Sequence, residues 1–263
     1  MNFDYKLEKI QTNALSMEFF LVPWDTEIME KPVAEIRCLN VKIPKQARNE
    51  FQTFFDWCND HKIALINCRI SHDQLVESMF LQAHEFRFIE LNYRPQIKNL
   101  QNLKILDDEI DIVLAEPDDR LPLAGMAGSV FQHGRFHQDP RLGVGLGNYR
   151  YKSWLLNAFE LSHQKVYKFM LDQKIIAFFV IEYPEQGHAF WSLTGLAPGM
   201  QGKGLGKRVW RRMMLKHQQE GIDTISSSIS SHNITVLNLY LSLVFRFPTP
   251  SATFHWRSTD TQQ

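Results

Sequence analysis

Cysteine is scarce in this sequence of 263 residues, which contains only Cys38, Cys58 and Cys68. An odd number without CxxC spacing indicates neither a disulfide framework nor a thiolate metal site. Charge of one sign is not in excess either, because 29 Lys and Arg balance 29 Asp and Glu. Without a basic surplus, nucleic acid is not expected as the principal partner.

Long apolar runs are missing as well. The longest, Ile175–Ile181, has seven residues, whereas a helix needs about 20 to cross a bilayer. Asp4 and Glu8 stand where a signal peptide has a basic start and then an apolar core. We therefore expect a cytoplasmic protein with no membrane partner. No metal site is predicted, since His133 and His137, four residues apart, lack a convincing third ligand.

The sequence does contain an internal repeat at an offset of 160 residues. Ser71-His72-Asp73 parallels Ser231-His232-Asn233, and Met79-Phe80-Leu81 parallels Leu239-Tyr240-Leu241. In both halves an amphipathic helix with i, i+3, i+4 and i+7 spacing precedes a short β-prone run. A second helix and an extended stretch follow. The pattern favours two related units, although a chance likeness between amphipathic helices remains the alternative.

The repeat predicts an N-terminal domain over residues 1–97 and a C-terminal domain over residues 109–263. Residues 98–108 lack strong apolar periodicity, which is typical of a linker. Alternating strands and helices in the C-terminal half predict a mixed α/β sheet, with two helices early and two late. Gly143, Gly145 and Gly147 predict a flexible lid before a helix over 149–161.

A glycine-rich turn lies between a predicted strand and a predicted helix, at Gln201-Gly202-Lys203-Gly204-Leu205-Gly206. There, backbone N–H groups and the positive end of a helix dipole suit a phosphate. A Walker loop needs four residues between its first glycine and Gly-Lys-Ser/Thr, and this loop has three. A dinucleotide fingerprint needs glycine or alanine where Lys207 stands. Spacing therefore excludes both motifs.

What remains is Gln-x-x-Gly-x-Gly, which resembles the acetyl-CoA-binding signature of the GNAT acetyltransferase superfamily. In the late helix of that family an Asn and a Tyr lie seven residues apart, as they do here. The match comprises Leu196, Pro198, Gln201, Gly204, Gly206, Asn233 and Tyr240. The family usually has Gly-Phe after this helix, where this chain has Val244-Phe245, so we expect a modified helix end.

The resemblance implies a GNAT fold and direct transfer of an acetyl group from acetyl-CoA to an amine. Backbone N–H groups of the loop would hold the pyrophosphate, and the strand end at Leu196 would align the pantetheine and polarise the thioester. Asn233 would orient the pantetheine or cap a helix. Tyr240 would protonate the departing thiolate, or else be a core aromatic. The implied cofactor-binding residues are Leu196, Gln201, Gly202, Lys203, Gly204, Leu205, Gly206, Lys207 and Asn233.

The N-terminal half has lost these features. Phe80 aligns with Tyr240 and has no ionisable proton, and Lys42–Gln46, where the loop would fall, has no glycine. We therefore expect a degenerate GNAT-like unit that supports the sheet or completes the acceptor pocket.

The acceptor is less well defined. The run Gly134–Arg141 is similar to a stretch in sugar-nucleotide N-acetyltransferases, which acetylate dTDP-linked amino sugars such as dTDP-fucosamine. On that resemblance Arg135, His137 and Arg141 would contact a nucleotide diphosphate, since arginine matches phosphate oxygens. A protein N-terminus, a polyamine, another small amine, or a non-catalytic acetyl-CoA-binding module are the alternatives. For the general base, Glu182, His137 and His188 remain open.

Overall fold

The structure is a computed structural model that describes residues 6–258. Its first elements are β1 (Glu8–Gln11), β2 (Leu15–Leu21), α1 (Pro23–Met29), β3 (Val33–Val41), α2 (Pro44–Asp60), β4 (Leu65–Ser71), α3 (Leu75–Ala83), β5 (Arg87–Tyr93), β6 (Gln96–Ile97) and a 3-10 turn (Leu100–Asn102). They are followed by β7 (Asp111–Leu114), a 3-10 turn (Pro117–Asp119), α4 (Arg120–Val130), α5 (Arg135–Gln138), α6 (Val144–Ala158), β8 (Gln164–Leu171), β9 (Lys174–Glu185), β10 (His188–Leu196), α7 (Leu205–Gln219), β11 (Thr224–Ser227), β12 (Ile229–Ser230), α8 (Ile234–Ser242) and β13 (Ser251–Arg257).

Two compact units make up the chain. The N-terminal unit contains the described residues up to Asn92, together with Gln138–Leu142 and the chain from Thr249 onward. The C-terminal unit contains Tyr93–His137 and Gly143–Pro248. The predicted mixed α/β class is confirmed. No helix within residues 6–258 has the length and apolar character needed to cross a membrane.

In the N-terminal unit, neighbouring strands follow the order β1-β2-β3-β4-β13-β5. Only β3 and β4 are parallel in this series. The apolar spacing of α2 buries Phe51, Phe54 and Cys58, which pack in one core with Phe80 and Leu81 of α3. The sequence did not predict that β13, from the C-terminal end of the chain, would lie between β4 and β5.

The C-terminal unit has the strand order β6-β11-β10-β9-β8-β7, in which only β10 and β11 are parallel. Its core includes Val209, Trp210, Met213 and Met214 of α7, as the helical spacing predicts. Residues 98–108, predicted as a linker, include the 3-10 turn at Leu100–Asn102. Leu100 is fully buried in this core.

Both units contain a parallel strand pair that diverges. β10 follows β11 only as far as the pair Trp191 and Ser227, and β3 follows β4 only as far as Ile36 and Cys68. At the next residue of β10 and of β3, the register against the antiparallel neighbour shifts by a β-bulge. A bulge bends its strand and increases the local twist. In each unit the two parallel strands therefore separate at the same place.

The helices show that the repeat has an offset of 159 residues around α3 and α8, because these begin at Leu75 and Ile234. The expected pairing of Phe80 with Tyr240 is therefore wrong by one residue, and Leu81 stands opposite Tyr240. Hydrogen bonds after the helices agree. The Phe86 N–H donates to the Leu81 carbonyl, and its counterpart donates to the Tyr240 carbonyl.

The lid predicted at the second glycine string is also wrong. Gly143 is the N-cap of α6, and Gly145 and Gly147 lie within its first turns. A Cβ on Gly147 would collide with the ring of His137. This glycine therefore permits a close approach between α5 and α6, a packing role that a sequence pattern does not distinguish from flexibility.

Candidate functional site

The loop between β10 and α7 has the backbone geometry of an anion cradle. Gly199, Gly202 and Gly204 have φ angles of +75°, +74° and +75°, a region that side chains with a Cβ rarely occupy. No other atom lies within 4 Å of the Cβ position at any of these three glycines. The loop backbone therefore borders open space.

The helix that follows begins without a side-chain cap. Gly204 is the N-cap of α7, and the first turn of the helix contains no acidic residue. Its first N–H groups and the positive end of its dipole are therefore unopposed by a carboxylate of that turn. Lys207 adds a cation in the same turn. Together these groups make a site for a phosphate.

A cavity of about 650 Å³ adjoins this helix end. Its walls are the glycine loop, the end of β10 at Thr194–Leu196, and parts of α7 and α8. Residues Ser129–His133, at the end of α4 and just beyond it, complete the lining. The cavity thus lies where β10 has separated from β11, and it extends from a phosphate site along a free strand edge.

Most of the predicted cofactor-binding residues line this cavity. They are Leu196, Gln201, Gly202, Gly204, Gly206, Lys207 and Asn233. Lys203 and Leu205 are not among the lining residues. The Asn233 side chain accepts a hydrogen bond of 3.2 Å from the Val236 N–H, so this residue caps α8.

Tyr240 is fully buried and does not line the cavity. Its ring packs edge-on against Phe245, with centroids 4.6 Å apart. Burial raises the pKa of the phenol, and the nearby polar groups of Ser227, Trp210 and Thr194 offset this only in part. Thr194 and Trp210 themselves line the cavity. The hydroxyl is therefore separated from the cavity by the thickness of a side chain.

Two buried polar atoms beside the cavity lack protein partners. The Tyr240 hydroxyl and the Trp210 indole N–H make no hydrogen bond within residues 6–258. An unpaired buried polar group costs about 1–3 kcal/mol, so such groups usually find a water or a ligand. These two atoms and the open glycine cradle fit a ligand that has a phosphate at one end and polar groups along its length, as acetyl-CoA has.

Two of the candidate bases lie at the other end of the sheet. His188 begins β10 and Leu196 ends it, a separation of about 26 Å in an extended strand. Glu182 lies on β9 beside the same remote end. It accepts a hydrogen bond of 2.9 Å from Gln164, and burial raises the pKa of its carboxyl. Neither residue lines the cavity.

The predicted acceptor residues Arg135, His137 and Arg141 also lie outside the lining. His137 shares a hydrogen bond of 3.0 Å with Asn148. Arg141 belongs to the N-terminal unit, where it donates two hydrogen bonds, of 2.9 and 2.8 Å, to the buried carboxylate of Asp139. The structure thus does not assemble these three residues at the cavity, because one of them is held by a carboxylate of another unit.

Sequence reasoning did not assign His133 to this site. It lines the cavity, and it and Lys207 are the only ionisable side chains of the lining. Partial burial lowers the pKa of His133, and the neighbouring His232 and His137 lower it further. No cluster of three or more potential metal ligands occurs within residues 6–258. The signal was weak, since one histidine after a helix has no motif.

The C-terminal part of the sequence matches a known family. Residues 135–244 match the model of the acetyltransferase (GNAT) family. No protein of curated function matches the chain.

Solved structures match nearly the whole chain. A tandem GNAT protein from the clavulanic acid biosynthesis pathway has a TM-score of 0.61 at 9% identity, over 96% of this chain and 83% of its own. A GCN5-related N-acetyltransferase from Sphaerobacter thermophilus has a TM-score of 0.65 at 9% identity, over 92% and 76%. A conserved protein of unknown function from Staphylococcus epidermidis has a TM-score of 0.66 at 10% identity, over 96% and 95%.

The chain therefore has a tandem GNAT fold, and its C-terminal unit carries the matching family sequence. Together these findings support an acyltransferase of the GNAT class, a family that generally uses acetyl-CoA as its acyl donor.

Proposed function

We propose that this protein is an acetyl-CoA-dependent N-acetyltransferase that transfers the acetyl group directly to a primary amine of a small molecule. The observation that carries the proposal is the continuous cavity in the C-terminal unit. It joins an uncapped helix N-terminus and a glycine cradle to the diverging edge of β10.

Acetyl-CoA, when bound, supplies an acyl group activated as a thioester. The first N–H groups of α7 and Lys207 would hold its phosphates. The backbone of Thr194–Leu196 would orient the pantetheine and polarise the thioester carbonyl, an effect worth about 10²–10³ in rate. Tyr240 would give a proton to the leaving thiol, because its raised pKa keeps the phenol protonated at neutral pH.

The lining narrows the acceptor. It contains no Asp or Glu, whereas recognition of a polyamine is expected to use carboxylates that complement its charge. A small molecule with one amino group is therefore favoured over a polyamine. The narrower proposal, a nucleotide-linked amino sugar, rests on the resemblance at residues 134–141 and gains no support from the cavity, since Arg135, His137 and Arg141 do not line it.

One observation favours a second candidate, a module that binds acetyl-CoA without turnover. Tyr240 is fully buried and its hydroxyl does not reach the cavity surface. A protein that only binds acetyl-CoA has no use for a proton donor, and the buried tyrosine would then be a core residue.

A transfer assay separates the two. The purified protein is incubated with acetyl-CoA and, separately, with a dTDP-linked amino sugar, glucosamine, spermidine and a peptide with a free N-terminus. Release of free CoA and the mass of the product are measured. We expect an acetylated amine, with a sugar preferred to spermidine. Absence of product with every acceptor, while acetyl-CoA binds, would contradict the transferase proposal and favour the binding module.

A further inference from the structure

We infer that His133 is the general base of the C-terminal unit and takes a proton from the ammonium form of the acceptor. The inference rests on the proposed function, because it concerns the same cavity. An amine attacks a thioester only in its neutral form, so a transferase working near neutral pH benefits from a group that removes this proton.

The position of His133 is fixed by the packing of α4 on β10. The side chain of Val130, the last residue of α4, lies 3.2 Å from the Cβ position of Gly195, and Phe178 lies 3.1 Å from it. Glycine at 195 therefore lets the end of α4 rest directly on the strand that borders the cavity. His133 follows Val130 by three residues, a reach of about 10 Å, and lines the cavity.

The chemistry of the lining leaves few alternatives. It contains no carboxylate, and its other ionisable side chain, Lys207, is a cation at the opposite, phosphate-binding end. Glu182 and His188 lie at the remote end of the sheet. A histidine is the side chain whose unperturbed pKa, about 6.5, suits proton exchange near neutral pH. Within the lining, His133 is therefore the one group able to accept the proton.

The electrostatic surroundings keep His133 neutral at pH 7. Partial burial lowers the pKa of its ring, and the adjacent His232, before α8, and His137, in α5, lower it further. Lys207 of α7 is the remaining charged group of the cavity wall. All these neighbours are neutral or cationic, so they favour the uncharged imidazole, which is the form that accepts a proton.

The step is a simple proton transfer. An N–H bond of the ammonium group breaks, and its electron pair stays on the amine nitrogen. A ring nitrogen of His133 forms a new N–H bond and becomes an imidazolium. This cation later returns the proton to solvent. The amine is then neutral and able to attack, and no other reactant is required.

The decisive variant is His133→Gln, which keeps a polar side chain of similar reach and removes the titrating ring. At pH 7 we expect transfer to fall about 100-fold while the Kd for acetyl-CoA, measured by calorimetry, stays within twofold. The pH profile changes in a defined direction. In the wild type the rate falls only below the lowered pKa of His133. In the variant it rises with pH up to the pKa of the amine, so activity recovers at alkaline pH.

His188→Gln is the matched control, since it removes a histidine at the remote end of the sheet, and it should leave the rate and the profile unchanged. A readout independent of turnover is the NMR titration of the histidine rings, assigned with the two variants. Addition of acetyl-CoA should shift the His133 ring resonance and lower its pKa further, because the ring becomes more buried. The His188 resonance should not respond.

Three results would overturn the inference. One is a wild-type rate and pH profile in His133→Gln. Another is a His133 resonance that does not respond while acetyl-CoA binds. The third is acetyl-CoA binding without transfer to any of the four acceptors, which would also remove the transferase proposal. Failure of the wild type to bind acetyl-CoA would instead defeat the proposed function at its cofactor step, and His133→Gln transferring normally would leave that function intact.

Discussion

The two units share a fold but differ at the place where their parallel strands diverge. In the C-terminal unit this place is a cavity, bordered by the eight-residue loop between Leu196 and Leu205. In the N-terminal unit only Lys42 and Ile43 separate β3 from α2, and both N–H groups donate to the Ala14 carbonyl. The N-terminal helix end is therefore closed by the protein's own backbone.

The strand edge is closed as well. The Gln74 amide donates to the Leu39 carbonyl at 3.3 Å, and the Glu77 carboxylate accepts from the Val41 N–H at 2.9 Å. At the offset of 159 residues, Gln74 and Glu77 correspond to Asn233 and Val236, which line the cavity of the other unit. Side chains that reach across the gap thus replace the ligand. A GNAT unit can lose its site by filling it, with its fold unchanged.

The cores differ at one equivalent pair. In the C-terminal unit the buried Trp191 indole N–H donates to His217 at 3.0 Å. The equivalent residues of the N-terminal unit, Ile36 and Cys58, are apolar or weakly polar. The C-terminal unit therefore carries a titratable group in its core at a position where the N-terminal unit carries a thiol. Burial raises the pKa of that thiol far above neutrality.

The largest effect that would break the comparison is expected at Tyr240, where the N-terminal unit has Leu81. Tyr240→Phe should lower turnover about 100-fold or more and leave acetyl-CoA binding intact. Because the hydroxyl has no hydrogen-bond partner within residues 6–258, its loss should cost no stability and could raise the free energy of unfolding by about 1 kcal/mol. Steady-state kinetics and urea unfolding measure both. Turnover near wild type would show that Tyr240 is a core aromatic only.

Acidification should distinguish the two cores. Burial lowers the pKa of His217 to about 4, an effect that Glu220 only partly offsets. The unfolded chain binds this proton below about pH 6.5 and the folded unit does not, so stability falls as the pH drops from 6.5 to 4. The expected loss is about 3 kcal/mol. Urea unfolding across this range measures it, and His217→Gln should remove most of the slope. An identical slope in the variant would contradict the assignment.

Glu77 tests whether the N-terminal unit depends on its closed edge. Glu77→Ala leaves the Val41 N–H without an acceptor in a buried place and should cost about 2 kcal/mol of unfolding free energy. Glu77→Gln keeps a side-chain oxygen at the same reach, so it is the matched control and should cost less than half as much. Equal losses in the two variants would show that the carboxylate charge, and not the hydrogen bond, stabilises this edge.

The smallest effect is expected at the end of α8, where the family's glycine is absent. Val244 has φ of +59° and is 64% exposed, so a β-branched residue occupies the left-handed conformation at some cost. Glu85, after α3, has the same conformation, with φ of +67°. Val244→Gly should raise the melting free energy by about 1 kcal/mol. A destabilised variant would mean that exposed Val244 makes a contact that outweighs the strain.

The sequence predicted those parts that follow local rules. Helix spacing placed Trp210 and Met213 in a core, and the motif of glycines predicted the loop whose open cradle the structure contains. Three features depend on chain segments that are far apart and carry no local signal. They are the return of β13 to the N-terminal unit, the burial of Tyr240, and the presence of His133 in the cavity wall. The repeat register failed by one residue because short matches do not fix an offset.

Calorimetric titration with acetyl-CoA tests the central claim most directly, namely that one unit binds and the other is closed. We predict one site per chain with a Kd in the micromolar range, about −8 kcal/mol. Gly204→Val should weaken binding at least 30-fold, since it strains the loop and fills the cradle. Gly187→Val is the control, because its φ of +77° imposes the same strain outside the cavity. Two sites per chain, no binding, or binding unchanged in Gly204→Val would contradict the account.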